Sequence, residues 1–185
     1  MSERSRSRTA AVLIAGLATV LVLVACAPTA EAPTPTASST APTPFFASDE
    51  EALAAATAAY ESYLEVSDQI AADGGADPTA LKPLVSVEEY ERQEQSFLGF
   101  TERGLHAEGS SQVDSERLEQ ANLVVGNVSI YLCLDVSEVR LMDDAGVDNT
   151  PVDRMDRLPL QVAFASEGES LLISQSSVWS GDNFC

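Results

Sequence analysis

This 185-residue chain offers few residues from which to build an active site. It has one histidine, His106, which excludes a histidine-rich metal site and leaves a histidine-based triad no spare imidazole. His106 opens a polar stretch and reads as solvated. Asp143, Asp144, Asp148 and Asn149 invite a calcium reading. A calcium loop needs acidic or amide side chains at alternate positions, where this chain has Ala145 and Val147, so an acid-rich turn is the expectation. Tyr131 and Asp135 share one strand face at a separation of about 13 Å. That is too far for concerted acid–base work on one small carbonyl, and their face is the polar one. Tyr60 and Tyr63 read as core packing. No dinucleotide fingerprint, P-loop or nucleophile elbow is present. The expectation is therefore no catalytic residue, no cofactor and no metal.

Cysteine carries the remaining chemistry. Cys26 closes Leu23-Val24-Ala25-Cys26, a segment that looks like a bacterial lipobox. It follows an apolar run, Ala10 to Val24, that is itself preceded by Arg4, Arg6 and Arg8. A basic start, fifteen apolar residues and small residues at the cut form an export signal, and the run is shorter than the roughly 20 residues that span a bilayer. Cys26 is thus expected to be the lipidated first residue of the mature chain, held at the outer face of the cell membrane by a diacylglyceryl anchor. An uncleaved signal anchor and an ordinary cleaved signal are the competing readings. Cys133 and Cys185 remain, and in an exported protein two remaining cysteines most simply pair. Cys133 lies on the strand face opposite Leu132, so the tail ending in Cys185 should cross that face.

Charge narrows the partners. The formal charge is −19, and removing residues 1–25, with three Arg and one Glu, leaves seven basic and 28 acidic residues at −21. Such a chain is repelled by phosphate backbones, which argues against nucleic acid. Lys82 is the only lysine against nine arginines, a bias that suggests a GC-rich genome.

These features predict three regions: a signal peptide over 1–25, a lipidated cysteine with a Pro/Thr/Ser-rich tether over 26–46, and a folded domain over 47–185. The tether, Ala27 to Pro44, has no hydrophobic period and no aromatic residue and reads as disordered. Extended at about 3.1 Å per residue it would reach roughly 55 Å. Its composition suits O-glycosylation as well as a bare linker.

In the domain, Ser48 and Glu51 predict a capped helix whose stripe runs through Leu53, Ala56, Tyr60, Leu64 and Ile70 and ends at Asp73-Gly74-Gly75. Ser86 and Glu89 predict a second capping box, opening a helix that stops at Gly104. His106 to Leu118 reads as one exposed strand. Val124 to Val136 reads as a long strand with a bulge at Gly126. Further strands follow around Val139–Met142, Leu158–Phe164 and Leu171–Ile173. Two helices followed by an antiparallel meander make an α+β domain, with helices packed on one face of a curved sheet.

That element order resembles the cone-shaped NTF2-like fold of SnoaL and ketosteroid-isomerase type. Tyr131-Leu132-Cys133-Leu134-Asp135-Val136-Ser137 and Trp179-Ser180-Gly181-Asp182-Asn183-Phe184-Cys185 are similar to secreted lipoproteins of high-GC Gram-positive bacteria. The resemblance implies a cone that usually encloses a pocket between helices and sheet, in a family divided between enzymes and non-enzymatic binding modules. The expected function is a lipid-anchored, non-catalytic binding or protein-interaction module in the cell envelope, engaging an envelope protein or a small hydrophobic ligand. The alternative is an NTF2-like isomerase or dehydratase on a small hydrophobic substrate. It would need a carboxylate inside the cone beside a tyrosine hydroxyl.

Overall fold

Two serines start the helices. In the computed structural model, which describes residues 43–185, Ser48 precedes α1 (Asp49–Ala72) and its Oγ accepts the Glu51 N–H at 3.2 Å. Glu51 reaches back to the Ala47 N–H at 2.7 Å, closing the cap one residue earlier than a standard box. Asp49, Glu50 and Glu51 place negative charge on the positive end of the helix dipole. Ser86 does the same for α2 (Val87–Arg103), accepting from Glu89 N–H at 3.2 Å, and Gly104, at φ 60°, ends that helix in the left-handed conformation. Each cap contributes about 1 kcal/mol. A 3-10 turn, Pro78–Leu81, links the helices and buries Leu81.

Six strands follow: β1 (Leu105–Glu108), β2 (Gln112–Asn122), β3 (Asn127–Asp135), β4 (Arg140–Asp143), β5 (Arg157–Glu167) and β6 (Ser170–Val178). The main sheet has the order β2-β3-β5-β6, every pair antiparallel, while β1 and β4 form a separate antiparallel pair. Register shifts at Asp114/Arg117, Leu118/Gln120 and Ala163/Phe164 are bulges, and each bends and twists the sheet. The free edge of β6 is partly closed by the segment before α2, where Ser86 N–H donates to the Ile173 carbonyl at 2.8 Å and Ile173 N–H to the Leu84 carbonyl at 3.0 Å.

The core lies between α1, α2 and one sheet face. Val128, Ile130 and Leu132 of β3, Leu160, Val162 and Phe164 of β5 and Ile173 of β6 pack against Ala52, Ala56, Tyr60, Tyr63 and Ile70 of α1 and Phe97 of α2. Phe46, ahead of α1, is part of the same core and donates its N–H to the Leu123 carbonyl. The observed architecture is the expected α+β one, with helices on one face of a curved antiparallel sheet.

Two strand expectations are corrected. His106 to Leu118 is not one strand. It is β1 and the start of β2, divided at Gly109, where φ is +93° and an added Cβ would strike the Glu138 carbonyl at 2.2 Å. The long strand from Val124 likewise begins only at Asn127, because Leu123–Gly126 is a turn. Asn122 Oδ1 accepts the Val124 and Val125 N–H groups, and Gly126 takes φ +86° against the Phe45 ring. The signal peptide, Leu23, Val24, Ala25, Cys26 and the tether up to residue 42 lie outside the described residues.

Candidate functional site

The isomerase or dehydratase expectation asks for a carboxylate in the interior, and one is there. Glu89 is 1% exposed, the buried charged residue among the described residues. The expectation of a second full capping box fails at this residue. Only the backbone half forms, and the Glu89 side chain turns inward. Arg92 Nε donates to Oε2 at 3.1 Å, a second guanidinium nitrogen donates to the same oxygen, and Gln93 Nε2 donates to Oε1 at 2.7 Å. Arg92 also reaches the Ser174 carbonyl of β6 at 3.3 Å. Tyr60 and Tyr63 of α1 are buried in the same core, within electrostatic reach of the Glu89 carboxylate. Burial pushes the Tyr63 hydroxyl up to about 12 and the Tyr60 hydroxyl, the more deeply buried, further up.

Glu89 escaped the sequence reading because a Ser-x-x-Glu spacing is what a helix cap shows. Both its oxygens are engaged, and none of five surface grooves is lined by Glu89, Tyr60 or Tyr63. Beneath the sheet, side chains of α1, α2, β3, β5 and β6 pack into one core.

The acidic loop after β4 is a turn network. Asp143 Oδ1 accepts the N–H groups of Ala145 at 3.0 Å and Val147 at 2.9 Å, and Asn149 Nδ2 donates to Oδ2 at 3.3 Å. Asp148 Oδ1 accepts from Thr150 N–H at 2.8 Å. The Val147 N–H foremost holds the Asp143 carboxyl below its ordinary range, and Thr150 does so for Asp148. No group of three or more His, Cys, Asp or Glu able to hold a metal occurs among the described residues. His106 is not fully solvated: its side chain is 33% exposed, with Nε2 3.8 Å from Glu108 Oε1.

Tyr131 and Asp135 do face outward, and they serve different clusters. Asp135 meets Arg157 Nη1 at 3.0 Å, and Arg157 Nη2 meets Asp114 at 2.7 Å, a surface triad across β2, β3 and β5. Arg157 is the leading cause of the lowered Asp114 carboxyl. Ser137 is the leading cause at Asp135. Tyr131 Oη donates to Glu119 Oε1 at 2.7 Å, and Gln161 Nε2 donates to the same carboxylate at 2.8 and 2.9 Å.

Around Tyr131 the C-terminal tail builds the most organised surface feature of the domain. Cys133 is bonded to Cys185 with Cα atoms 5.6 Å apart, so the tail crosses the outer face of β3 as its position opposite Leu132 implies. Trp179 N–H donates to the Pro159 carbonyl at 2.8 Å, turning the chain over the sheet. Trp179 and Phe184 then stand edge-on to Tyr131 at centroid distances of 5.0 and 5.9 Å, and the Arg117 guanidinium sits 4.4 Å from the Phe184 ring. Gly181 lets the tail pass the indole, since a Cβ there would lie 2.4 Å from Trp179 Nε1. Arg117, Leu118, Tyr131, Trp179 and Phe184 line a groove of about 330 Å³. The placement of the two cysteines carried the signal for this groove, but the roles of Arg117 and Glu119 did not show, because a bulge sets their facing.

On the helix side a second groove of about 540 Å³ runs between α1 and the β1–β2 turn, lined by Glu61, Glu65 and Asp68 among others. Asp68 is spent there on Ser111, accepting its N–H at 2.7 Å and its Oγ–H at 2.8 Å. No helix among the described residues is long and apolar enough to cross a membrane.

No family model matches this sequence, and no curated protein does. Among solved structures, the protein Aln2 from a Streptomyces species is similar at 14% identity and a TM-score of 0.45, over 72% of this chain and 92% of that one. A de novo designed β-sheet protein is similar at 13% identity and a TM-score of 0.34, over 74% of this chain and 97% of that one. Both values are too low to carry function.

Proposed function

We propose that this protein is a lipid-anchored module of the cell envelope, tethered through Cys26, that binds a partner without catalysis through the outer face of its sheet. The observation that supports this most is the contrast between the two faces. Inside, hydrophobic side chains pack under the sheet and the one buried carboxylate among the described residues is tied to Arg92 and Gln93. Outside, a disulfide and a glycine hold three aromatic rings and an arginine in an open groove. Rigid aromatic anchors next to polar groups are what recognition surfaces use.

The anchor is tested by Cys26→Ala. The variant should accumulate as unprocessed precursor without a lipid, detected by mass, and should lose stable membrane retention. A mature, membrane-held variant indistinguishable from wild type contradicts the proposal. A second reading, an isomerase or dehydratase, draws on Glu89 lying near Tyr60 and Tyr63. It requires a carboxylate free to take a proton from a substrate, and the arginine and glutamine contacts oppose that.

A further inference from the structure

We infer that the outer groove is a saccharide site: Tyr131, Trp179 and Phe184 receive the apolar face of a neutral sugar ring, and Arg117, Glu119 and Gln161 at its rim bond the ring's hydroxyls. This rests on the outer face being the contact surface and names the chemistry that the surface recognises. A pyranose presents C–H bonds on its faces and hydroxyls around its rim, so it needs flat apolar walls and polar groups at their edge. The groove supplies both. The three rings are fixed by mutual edge contacts, by the Cys133–Cys185 bond and by the close approach of Gly181 to the indole. The Glu119 carboxylate is held by Tyr131 and Gln161 together, an acceptor fixed in place before any ligand arrives.

Charge selects for a neutral ligand. In a chain of formal charge −19, the middle of this face is nearly free of charge. One row across the strands reads Arg117, Tyr131, Gln161, Ser177, and the next reads Gln120, Ser129, Ala163, Gln175. Arg117 and Glu119 offset each other, so neither an anion nor a cation finds net counter-charge, whereas hydroxyl groups find amides, hydroxyls and a carboxylate. The volume of about 330 Å³ is at the small end of ligand sites and suits roughly one or two sugar rings. A separate depression of about 120 Å³ on the same face is lined by Ser129, Gln161, Ala163, Gln175 and Ser177, and its Gln161 bonds the Glu119 carboxylate that Tyr131 also holds, so a longer glycan would meet both.

Trp179 is the only tryptophan of the chain, so its fluorescence reports on this groove alone. The experiment titrates the full-length protein, in a detergent without a sugar headgroup, with chitotetraose and with cellotetraose. The expected result is a saturable change in emission with at least one of them. Phe184→Ala and Gln161→Ala should each weaken it tenfold or more without moving the urea midpoint, and Glu65→Gln on the helix side should leave it unchanged. Emission that does not respond to either saccharide up to its solubility limit overturns the inference, as does a response that both groove substitutions leave intact. If the titration is silent while a photocrosslinker at Gln175 captures a discrete protein in cells, the saccharide inference fails and the outer-face reading stands. If both are silent, both fail.

Discussion

Trp179 stands edge-on to Tyr131 with 5.0 Å between ring centroids, and Cys133, two residues further along the same strand, is bonded to Cys185. The bond and the ring pair hold one segment, residues 179–185, against the outer face of β3. The tail's order therefore depends on the disulfide, because its backbone lies beyond the last strand and only Trp179 is tied to the sheet by its own N–H.

Cutting that bond should loosen the groove and destabilise the fold. At a sequence separation of 52 between the two cysteines, the loop-closure contribution is about 4 kcal/mol. The Cys133→Ser/Cys185→Ser variant should lose up to that amount in urea unfolding, and its Trp179 emission should move toward that of an exposed indole. An unchanged emission spectrum would mean that the tail stays docked without the bond.

The buried carboxylate predicts an asymmetry. Arg92→Ala leaves the Glu89 charge in the core with only Gln93 as partner and should cost about 3 kcal/mol. Glu89→Gln removes the charge, and Arg92, already half exposed, turns to solvent, so the cost should be clearly smaller. Equilibrium denaturation of the two variants decides it; equal costs would show that the pair is not what keeps Glu89 buried.

Alkaline pH should destabilise the domain through its two buried phenols. Their folded-state values are raised, Tyr63 to about 12, above the unfolded value of about 10. The unfolded chain therefore loses these protons first. The contribution is complete below about pH 10 and declines as pH rises toward the folded values. Urea midpoints measured from pH 8 to 11 should fall at the alkaline end, and Tyr63→Phe should flatten the fall.

Gly126 and Gly146 both have positive φ but differ in surroundings. At Gly126 a Cβ would meet the Phe45 ring at 2.7 Å and Ser166 at 2.9 Å, while at Gly146 nothing lies within 4 Å. Gly146→Ala should cost about 1 kcal/mol from the backbone alone, and Gly126→Ala about 2–3 kcal/mol. Thermal melts of the two variants give the comparison. Equal losses would mean that Phe45 gives way freely.

The helices were legible because their caps are local: Ser48, Ser86 and Gly104 act within four residues of themselves. The alternation of Val128, Ile130, Leu132 and Leu134 marked the central strand and, with it, the face on which Cys133 lies. What the sequence hid depends on distant partners. Gly109 and Gly126 read as parts of strands, yet each makes a turn, one against Glu138 and the other against Phe45. Glu89 reads as a cap, and its partners Arg92 and Gln93 draw it inward. Arg117 follows one register shift of β2 and Glu119 is the unpaired residue of the next, so alternation counted from Asp114 misassigns their facing.

The central claim is that the protein meets its partner through the outer face of the sheet. It is tested most directly by placing a photocrosslinking amino acid at Gln175 on that face or at Glu65 on α1, then irradiating intact cells. The account predicts a covalent adduct from position 175 and none from position 65. An adduct from position 65 with none from position 175 would contradict it and move the contact to the acidic helix groove.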